Sequence, residues 1–247
     1  MNKRWRQFIK QFHPEGIPWP GSLLYNAVSS TAIFQQHYEL VAYDVARYGT
    51  AARILDIGTG PGHLLLAMQK LLPDANLTGV DISSAMVSQA RRNLEKYRQD
   101  LQIEVEVVVE NTLKFCGEIL QLVVSTGSLH HWKKPIHALS EAYRVLKPGG
   151  HALIYDLVRK MPNAACKDIR TRFGGFRLAL LWLHSFEEPF LNAEEMEKLG
   201  SRTDFVVEGT RFTGALCCLV LSKLAISSCN KGSNQLLCHE PLHSPLA

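Results

Sequence analysis

The sequence predicts an α/β protein with a mostly parallel, doubly wound sheet and helices on both of its faces. Short apolar runs alternate with helical patterns from residue 53 to residue 157, which is typical of parallel strands joined by right-handed crossovers. The first run, Arg53–Ile57, is followed by three glycines at alternate positions and then by a helical pattern. A strand that ends in glycines before a helix is the ligand-binding turn of such a sheet.

The composition is that of an ordinary globular protein. The chain has 247 residues, of which 46% are hydrophobic and 20% are charged, and its net charge is +4. This length suits one large α/β domain with additions, and so small a charge does not require a nucleic-acid partner. The six cysteines show no C-x-x-C spacing, and the first 15 residues lack the apolar core of a signal peptide. We therefore expect a cytoplasmic protein with reduced cysteines.

Residues 1–48 are predicted to form an N-terminal helical segment. Four apolar side chains share one helical face near its start: Trp5, Phe8, Ile9 and Phe12. Basic residues lie beside them. We interpret this part as a helix docked on the domain; a lid over the ligand site and a helix making peripheral contact with a membrane surface are the alternatives. A second helix is expected over about residues 30–48, ending before Gly49.

The main domain is predicted to span residues 49–224. After the glycine turn, the expected strands cover residues 76–81, 103–109, 122–125 and 151–157. The expected helices cover residues 83–97 and 136–146. Ser83 or Ser84 suits the N-cap of the first of these helices, and Lys-Pro-Gly-Gly at 147–150 is a stop signal for the second.

The C-terminal part departs from this alternation. Residues 159–190, with an apolar stretch at 176–186, are interpreted as a cap-like insertion. Asn192 and Glu195 have the spacing of a capping box before a short helix. Two further runs are expected to close the sheet as a hairpin-like pair, at residues 204–208 and 215–221. The tail at 225–247 has no periodicity and is expected to be mobile.

The spacing of the glycines indicates the ligand. Dinucleotide-binding turns follow G-x-G-x-x-G, which would place a third glycine where this chain has His63. The chain instead reads Asp-x-Gly-x-Gly-x-Gly from Asp56 to Gly62. Asp81 ends the second predicted strand, where a carboxylate can accept hydrogen bonds from both hydroxyls of a ribose. A glycine turn alone is a weak signal, but with an acid at each of two strand ends it becomes specific.

Together with STGSLHHW at 125–132 and EAYRVLKPGGHALIYDL at 141–157, these residues resemble the class I S-adenosylmethionine-dependent methyltransferases. The resemblance runs from about residue 54 to residue 157, and it is specifically to the small-molecule branch that includes quinone C-methyltransferases. It implies a Rossmann-like sheet of seven strands with a last antiparallel strand. It also implies the cofactor S-adenosyl-L-methionine, lying across the carboxyl ends of the strands.

The resemblance also assigns the cofactor site. The glycines would line the methionine portion, Asp56 would hold the loop and the cofactor's ammonium, and Asp81 would take the ribose hydroxyls. Ile82 and Met86 would pack on the adenine. The full set of predicted cofactor-binding residues is Asp56, Gly58, Thr59, Gly60, Gly62, Asp81, Ile82, Met86, Glu110, Asn111 and Ser125.

Two positions depart from the family's pattern. The family often places an Asp after strand three to accept from the adenine amino group, and the nearest candidates here are Glu110 and Asn111. Gln121 stands where an Asp frequently precedes strand four. Structural roles are the alternatives for the two acids: Asp56 would bond only the amides of the loop, and Asp81 would cap the following helix.

His130 and His131 are the candidate catalytic residues. They follow the fourth predicted strand, so their loop would lie beside the sulfonium of the cofactor. Histidine titrates near neutrality and could take a proton from a nucleophile that must lose one. Packing inside the loop is the alternative for both. No metal-binding spacing is present.

The predicted function is methyl transfer to a small, largely apolar molecule. The aromatic N-terminus and the apolar stretch at 176–186 favour such a substrate, although both also suit ordinary packing. The Asn/Asp-Pro-Pro-Tyr/Phe loop of DNA amino methyltransferases and the Pro-Cys loop of cytosine C5 enzymes are absent after strand four. One alternative is a methyltransferase-like subunit that works by binding a protein partner; a nicotinamide oxidoreductase is disfavoured by His63.

Overall fold

The computed structural model of the chain describes residues 32–49, 52–97, 103–108, 113, 115, 117–173 and 190–225. Several predictions fall outside these residues: the amphipathic face near the N-terminus, the adenine contacts of Glu110 and Asn111, the apolar stretch at 176–186 and the tail beyond residue 225. The division into an N-terminal segment, a main domain with a cap-like insertion and a tail therefore stays a prediction.

The described residues form six α-helices and seven strands. The helices are α1 (Ala32–Ala46), α2 (His63–Leu71), α3 (Ser84–Glu95), α4 (Pro135–Val145), α5 (Asn163–Phe173) and α6 (Ala193–Gly200). The strands are β1 (Arg53–Ile57), β2 (Asn76–Asp81), β3 (Ile103–Val107), β4 (Leu120–Thr126), β5 (Leu146–Asp156), β6 (Val206–Thr213) and β7 (Leu216–Ser222). A 3₁₀ turn, Leu129–His131, follows β4.

The strands make one sheet in the order β3-β2-β1-β4-β5-β7-β6. The first five strands pair in parallel, and β7 runs antiparallel to both of its neighbours. The order reverses between β1 and β4, because the chain leaves the centre of the sheet toward β3 and returns to it at β4. This reversal is the topological switch point, where ligands bind in open α/β sheets.

Two apolar layers cover the sheet. Helices α1, α2 and α3 pack on one face, and α4 and α6 pack on the other. Strand β7 is buried along almost its whole length, as expected for a strand with helices on both sides. Its adjacent cysteines point to opposite faces, since Cys218 joins the first layer and Cys217 the second. Both are free thiols, as is Cys166.

Most predicted elements are present, and two of them differ clearly in their boundaries. The strand predicted at residues 204–208 runs from Val206 to Thr213. The stop signal at 147–150 ends α4 as expected, but β5 already begins at Leu146. The register against β4 shifts between Leu120 and Leu122, which absorbs the extra residues. Gly149 has a φ of 79° and donates its N–H to the Lys223 carbonyl at 2.9 Å. The turn is therefore built into the strand as an irregularity.

The predicted capping box before α6 is confirmed. The Asn192 side chain accepts from the Glu195 N–H at 2.8 Å, and the Glu195 carboxylate accepts from the Asn192 N–H at 3.0 Å. Within the described ranges no helix is both long and apolar enough to cross a membrane.

Candidate active site

The predicted site lies at the edge of the sheet where the parallel strands end. β1 leads into the glycine loop, β2 ends at Asp81, and β4 leads to the 3₁₀ turn. The N–H groups of Gly58 and Thr59 both donate to the Val80 carbonyl, at 2.8 and 3.0 Å. The loop after β1 is thus fastened to the end of β2, directly beside the switch point.

The glycines of this loop are required by its conformation. Gly58, Gly60 and Gly62 have φ values of 75°, 53° and 79°, in the left-handed region that disfavours side chains. A Cβ on Gly58 would also lie 2.6 Å from Oγ of Ser128. The loop therefore exposes bare backbone, and its close approach to the turn after β4 leaves no room for a larger residue.

Asp56 lies buried beneath the loop. It is 1% exposed, and burial raises the pKa of its carboxyl to about 7, with a further small increase from the charge of Asp81. The nearby Thr59 hydroxyl lowers this pKa, yet neither it nor Oδ1 of Asp56 has a hydrogen-bond partner of good geometry among the described residues. Buried oxygens without partners cost free energy. A ligand that brings positive charge and N–H donors to the loop fits this arrangement.

Asp81 connects the loop to the next helix. Its carboxylate accepts from the Gly60 N–H at 2.9 Å and from the Ser83 N–H at 2.8 Å. Burial raises its pKa despite these two amides. The N-cap of α3 is Ser83, whose hydroxyl accepts from the Met86 N–H. Asp81 is therefore not the helix cap, and part of its surface remains open for a ligand.

The remaining predicted cofactor residues differ in how much surface they offer. Ile82 is partly exposed, whereas Met86 is only 2% exposed. Ser125 is fully buried, and its hydroxyl hydrogen-bonds the Ser128 hydroxyl at 2.7 Å. Ser128 in turn donates to the Ile57 carbonyl at 3.3 Å. Ser125 thus supports the loops around the site from behind.

The two candidate histidines lie on the 3₁₀ turn after β4, and their ring centroids are 3.9 Å apart. His130 pairs with the carboxylate of Asp156 at the end of β5, a residue that the sequence analysis did not single out. Nδ1 of His130 lies 2.9 Å from both oxygens of Asp156, and its backbone N–H donates to Oδ2 at 2.8 Å. Both residues are buried.

Sequence reasoning missed two further residues that shape the site. Asp156 ends the fifth strand, where an acid in the sequence Tyr-Asp-Leu was a readable signal. Asn93, on α3, donates its side-chain amide to the Pro61 carbonyl of the glycine loop at 2.9 Å, and no local motif marks it. Within the described residues no cluster of three His, Cys, Asp or Glu side chains could hold a metal ion.

Comparisons with known proteins match this part of the chain to methyltransferases. Residues 54–150 match the family model of the methyltransferase domain. An arsenite methyltransferase of Halobacterium salinarum is 32% identical over 110 residues, covering 44% of this chain and 28% of that protein. A ubiquinone/menaquinone biosynthesis C-methyltransferase of Desulfotalea psychrophila is 29% identical over 141 residues, covering 56% of each. The chain thus spans from 28% to 56% of the length of these two relatives.

A solved structure extends the likeness to the whole sheet. A provisionally assigned S-adenosylmethionine-dependent methyltransferase of Methanococcus maripaludis has a TM-score of 0.67 at 20% identity, covering 87% of this chain and 98% of that one. At this identity the likeness concerns the fold. Residues 54–150 match a methyltransferase domain, and the predicted resemblance to the class I S-adenosylmethionine-dependent methyltransferases, the fold class and the cofactor are confirmed.

Proposed function

We propose that this chain transfers a methyl group from S-adenosylmethionine to a small, largely apolar molecule. The observation that carries the proposal is the loop from Asp56 to Gly62, held against Asp81 at the switch point of the sheet. Its backbone is bare, and the acid beneath it has an oxygen without a partner among the described residues. That combination suits a ligand with both a cationic amino-acid portion and a ribose.

The chain's own residues would divide the work of binding. The backbone of the glycine loop would receive the methionine portion, with Asp56 supplying negative charge below its ammonium. The exposed part of Asp81 would accept from the ribose hydroxyls, and Ile82 would contact the adenine. When bound, the cofactor supplies a methyl group activated by a sulfonium. The protein must then align the acceptor with this methyl and exclude water.

A small-molecule substrate is supported by the names of the relatives and by the motifs after β4, and its apolar character by one of these relatives. The relative from Desulfotalea psychrophila is named for C-methylation in quinone biosynthesis, a small and apolar class of molecule. The loops typical of DNA methyltransferases are absent after β4. The competing proposal is a subunit that binds the cofactor, or nothing, and acts through a protein partner.

Calorimetric titration tests this proposal. The purified protein is titrated with S-adenosylmethionine, with S-adenosylhomocysteine and with NADH as a control. We expect micromolar binding of both sulfur compounds, no binding of NADH, and at least a tenfold loss of affinity in Asp81→Ala. Asp74→Ala is the matched control, because Asp74 is an exposed acid in the turn after α2. If the wild type binds neither sulfur compound, the proposal that the chain is a methyltransferase is refuted and the partner-binding alternative is favoured.

A further inference from the structure

The strongest unassigned feature is the buried pair formed by His130 and Asp156. Asp156 is 3% exposed and His130 is 7% exposed, and the two residues come from the ends of adjacent strands. The ring of His130 is further confined by Phe190, whose ring centroid lies 4.4 Å away. Two polar side chains are thus held in one fixed orientation at the edge where the cofactor would bind.

We propose that His130 is the general base of methyl transfer and that Asp156 is the residue that positions it. This inference rests on the proposed methyltransferase function and extends it, since it also defines the acceptor as a molecule that must lose a proton. We assign the base to His130 rather than to His131 because the Asp156 carboxylate accepts hydrogen bonds from His130 and from the Leu157 N–H.

The hydrogen bonds of Asp156 set the tautomer of His130. Its oxygens accept from two backbone amides, those of His130 at 2.8 Å and Leu157 at 2.8 Å. A carboxylate that accepts these bonds acts as an acceptor for the imidazole as well, so Nδ1 of His130 must carry a proton. In a neutral imidazole the other nitrogen then has the free lone pair. Nε2 of His130 is therefore the basic atom.

The surroundings of His130 hold its ring in place. Asp156 faces it from β5, the ring of His131 lies tilted beside it on the same turn, and Phe190 covers it with an apolar ring. Behind Phe190, Arg159 donates to the Phe190 carbonyl at 2.6 Å. Among the described groups in contact with the ring, the negative one is Asp156, and it would stabilise the imidazolium that forms when Nε2 takes a proton.

Nε2 of His130 takes the proton of a hydroxyl on the acceptor, and the electron pair left on the acceptor, at the oxygen or at a conjugated carbon, forms the bond to the methyl carbon. The electron pair of the broken carbon–sulfur bond stays on sulfur, which becomes neutral. The proton held at Nε2 passes to solvent after the products leave. No oxidant, reductant or metal is needed.

The acidity of the acceptor's hydroxyl limits which class of molecule can be the acceptor. A phenol, with a pKa of about 10, loses its proton far more readily than an aliphatic hydroxyl does. A histidine base can therefore assist proton loss from a phenol while the bond to the methyl carbon forms, but an aliphatic hydroxyl is too weak an acid for this step. The acceptor is therefore a phenol or an enol. A neutral amine would not need the base, because its nitrogen already has a lone pair.

Nuclear magnetic resonance of the protein with ¹⁵N-labelled histidine tests the geometry without a substrate. The probe is S-adenosylhomocysteine, and the spectra are recorded with and without it. We expect the neutral ring of His130, identified by its absence in His130→Gln, to carry its proton on Nδ1. In Asp156→Leu the acceptor for the Nδ1 proton is removed, so the fraction of His130 rings protonated on Nε2 should rise. A wild-type ring protonated on Nε2, or an unchanged tautomer in Asp156→Leu, would overturn the proposal.

Activity with matched probes tests the chemistry. The wild type is assayed with 1-naphthol and with 1-naphthylamine, which share one ring system but differ in the need for a base. We expect the methylation of 1-naphthol to fall about 100-fold or more in His130→Gln and in Asp156→Asn, with affinity for S-adenosylhomocysteine kept within about threefold. The rise of kcat/KM with pH should disappear in His130→Gln, which a merely structural role of the pair would not cause. Any methylation of 1-naphthylamine should proceed at the same rate in the wild type, His130→Gln and Asp156→Asn.

The controls separate this inference from the proposed function. His137→Gln replaces an exposed histidine on α4 and should match the wild type in every assay. A wild type that binds S-adenosylhomocysteine but does not methylate 1-naphthol would overturn the acceptor class. Retention of naphthol methylation in both His130→Gln and Asp156→Asn would overturn the role of the pair. Loss of cofactor binding in the wild type would instead refute the methyltransferase proposal itself.

Discussion

Asp56 shows how one residue can couple stability to ligand binding. Its carboxyl is buried with a pKa near 7, so near neutral pH the cofactor-free protein holds it partly protonated. A cation at the glycine loop favours the ionised form, so binding of the cofactor should release a proton and should strengthen from pH 6 to pH 8. Asp56 would therefore strengthen cofactor binding while it lowers the stability of the cofactor-free protein.

Asp56→Asn tests this trade-off. Between about pH 4 and pH 7 the unfolded carboxyl, with its ordinary pKa of 3.8, loses its proton while the folded one keeps it. The wild type therefore loses stability across this window, whereas asparagine does not ionise. At pH 8 we expect the Tm of the free variant to be about 3–5 °C higher and its affinity for S-adenosylmethionine to be about tenfold or more weaker. Thermal denaturation and calorimetry measure the two effects.

Asp74→Asn is the matched control, since it removes an exposed carboxylate and should change neither quantity. If Asp56→Asn is less stable than the wild type at pH 8, the buried charge of Asp56 does not destabilise the cofactor-free protein, and this interpretation is wrong. Unchanged cofactor affinity would show that Asp56 only supports the loop.

At the scale of single residues, the sequence predicted those site residues that can be recognised from their spacing along the chain. The motif from Asp56 to Gly62 and the acid at Asp81 were recognisable because each sits at a strand end and can be counted along the chain. The pairing of His130 with Asp156 was not, because it depends on how the ends of β4 and β5 align. That alignment is a property of the sheet and not of either motif.

At the scale of elements, α3 acts as the support of the glycine loop. Ala90 packs against the loop, since a Cβ on Gly62 would lie 3.2 Å from the Ala90 Cβ. One turn further on, the Asn93 amide donates to the Pro61 carbonyl at 2.9 Å, and Gln89 donates to Asn93 at 3.0 Å. These side chains are buried, so the amide network holds the loop from behind.

Asn93→Ala should loosen the loop without touching the ligand. Removing the amide leaves the Pro61 carbonyl without this donor and should cost about 1–2 kcal/mol of unfolding free energy. We expect the Kd for S-adenosylhomocysteine to rise about five- to tenfold, because the free loop would no longer be held in its binding conformation. Urea denaturation and calorimetry provide the two values.

Glu95→Ala is the control on the same helix, because Glu95 is exposed and its truncation leaves the loop support in place. An Asn93→Ala variant that loses stability but keeps full affinity would show that Asn93 stabilises α3 only, and not the loop.

The element boundaries also show what local patterns can predict. β1 and β2 were predicted at their observed limits, because apolar runs flanked by glycine or a turn are sharply bounded. β5 was predicted too short, because the Lys-Pro-Gly-Gly turn marks the end of a helix but does not reveal that a neighbouring strand will pair with it. The Lys223 backbone provides that pairing, with hydrogen bonds to Gly149 and Gly150.

At the scale of the whole molecule, one buried acid fastens α1 to the sheet. Oδ2 of Asp44 accepts from the Tyr155 hydroxyl at 2.7 Å and from the Arg211 guanidinium at 2.7 Å. Burial alone would raise the pKa of Asp44, but these hydrogen bonds and the nearby positive charges hold it below its ordinary value. The contact joins residues more than a hundred positions apart, so the sequence predicted the helix but not what anchors it.

This anchor also places α1 next to the candidate site. A Cβ on Gly214, in the turn between β6 and β7, would lie 3.1 Å from the Leu40 side chain. The ring of Tyr38 lies 5.8 Å from that of His63, the first residue of α2 after the glycine loop. The early part of α1 thus lies close to the edge of the sheet that carries the predicted cofactor site.

Asp44→Asn should therefore release α1 and weaken the whole fold. The variant leaves Arg211 without its buried counter-charge, and we expect a loss of about 2 kcal/mol of unfolding free energy at pH 7. Because the folded pKa of Asp44 is lowered, its contribution is present above about pH 4 and is lost as the pH falls through the folded value. The difference between wild type and variant should therefore shrink at pH 3.5.

In Arg47→Ala only an exposed partner of Asp44 is removed, and stability should change by about 0.5 kcal/mol or less. Urea denaturation measures these differences, and hydrogen exchange should show that amides of α1 open faster than those of β4 in Asp44→Asn. Equal losses in Asp44→Asn and Arg47→Ala would show that the buried bonds to Tyr155 and Arg211 do not anchor the helix.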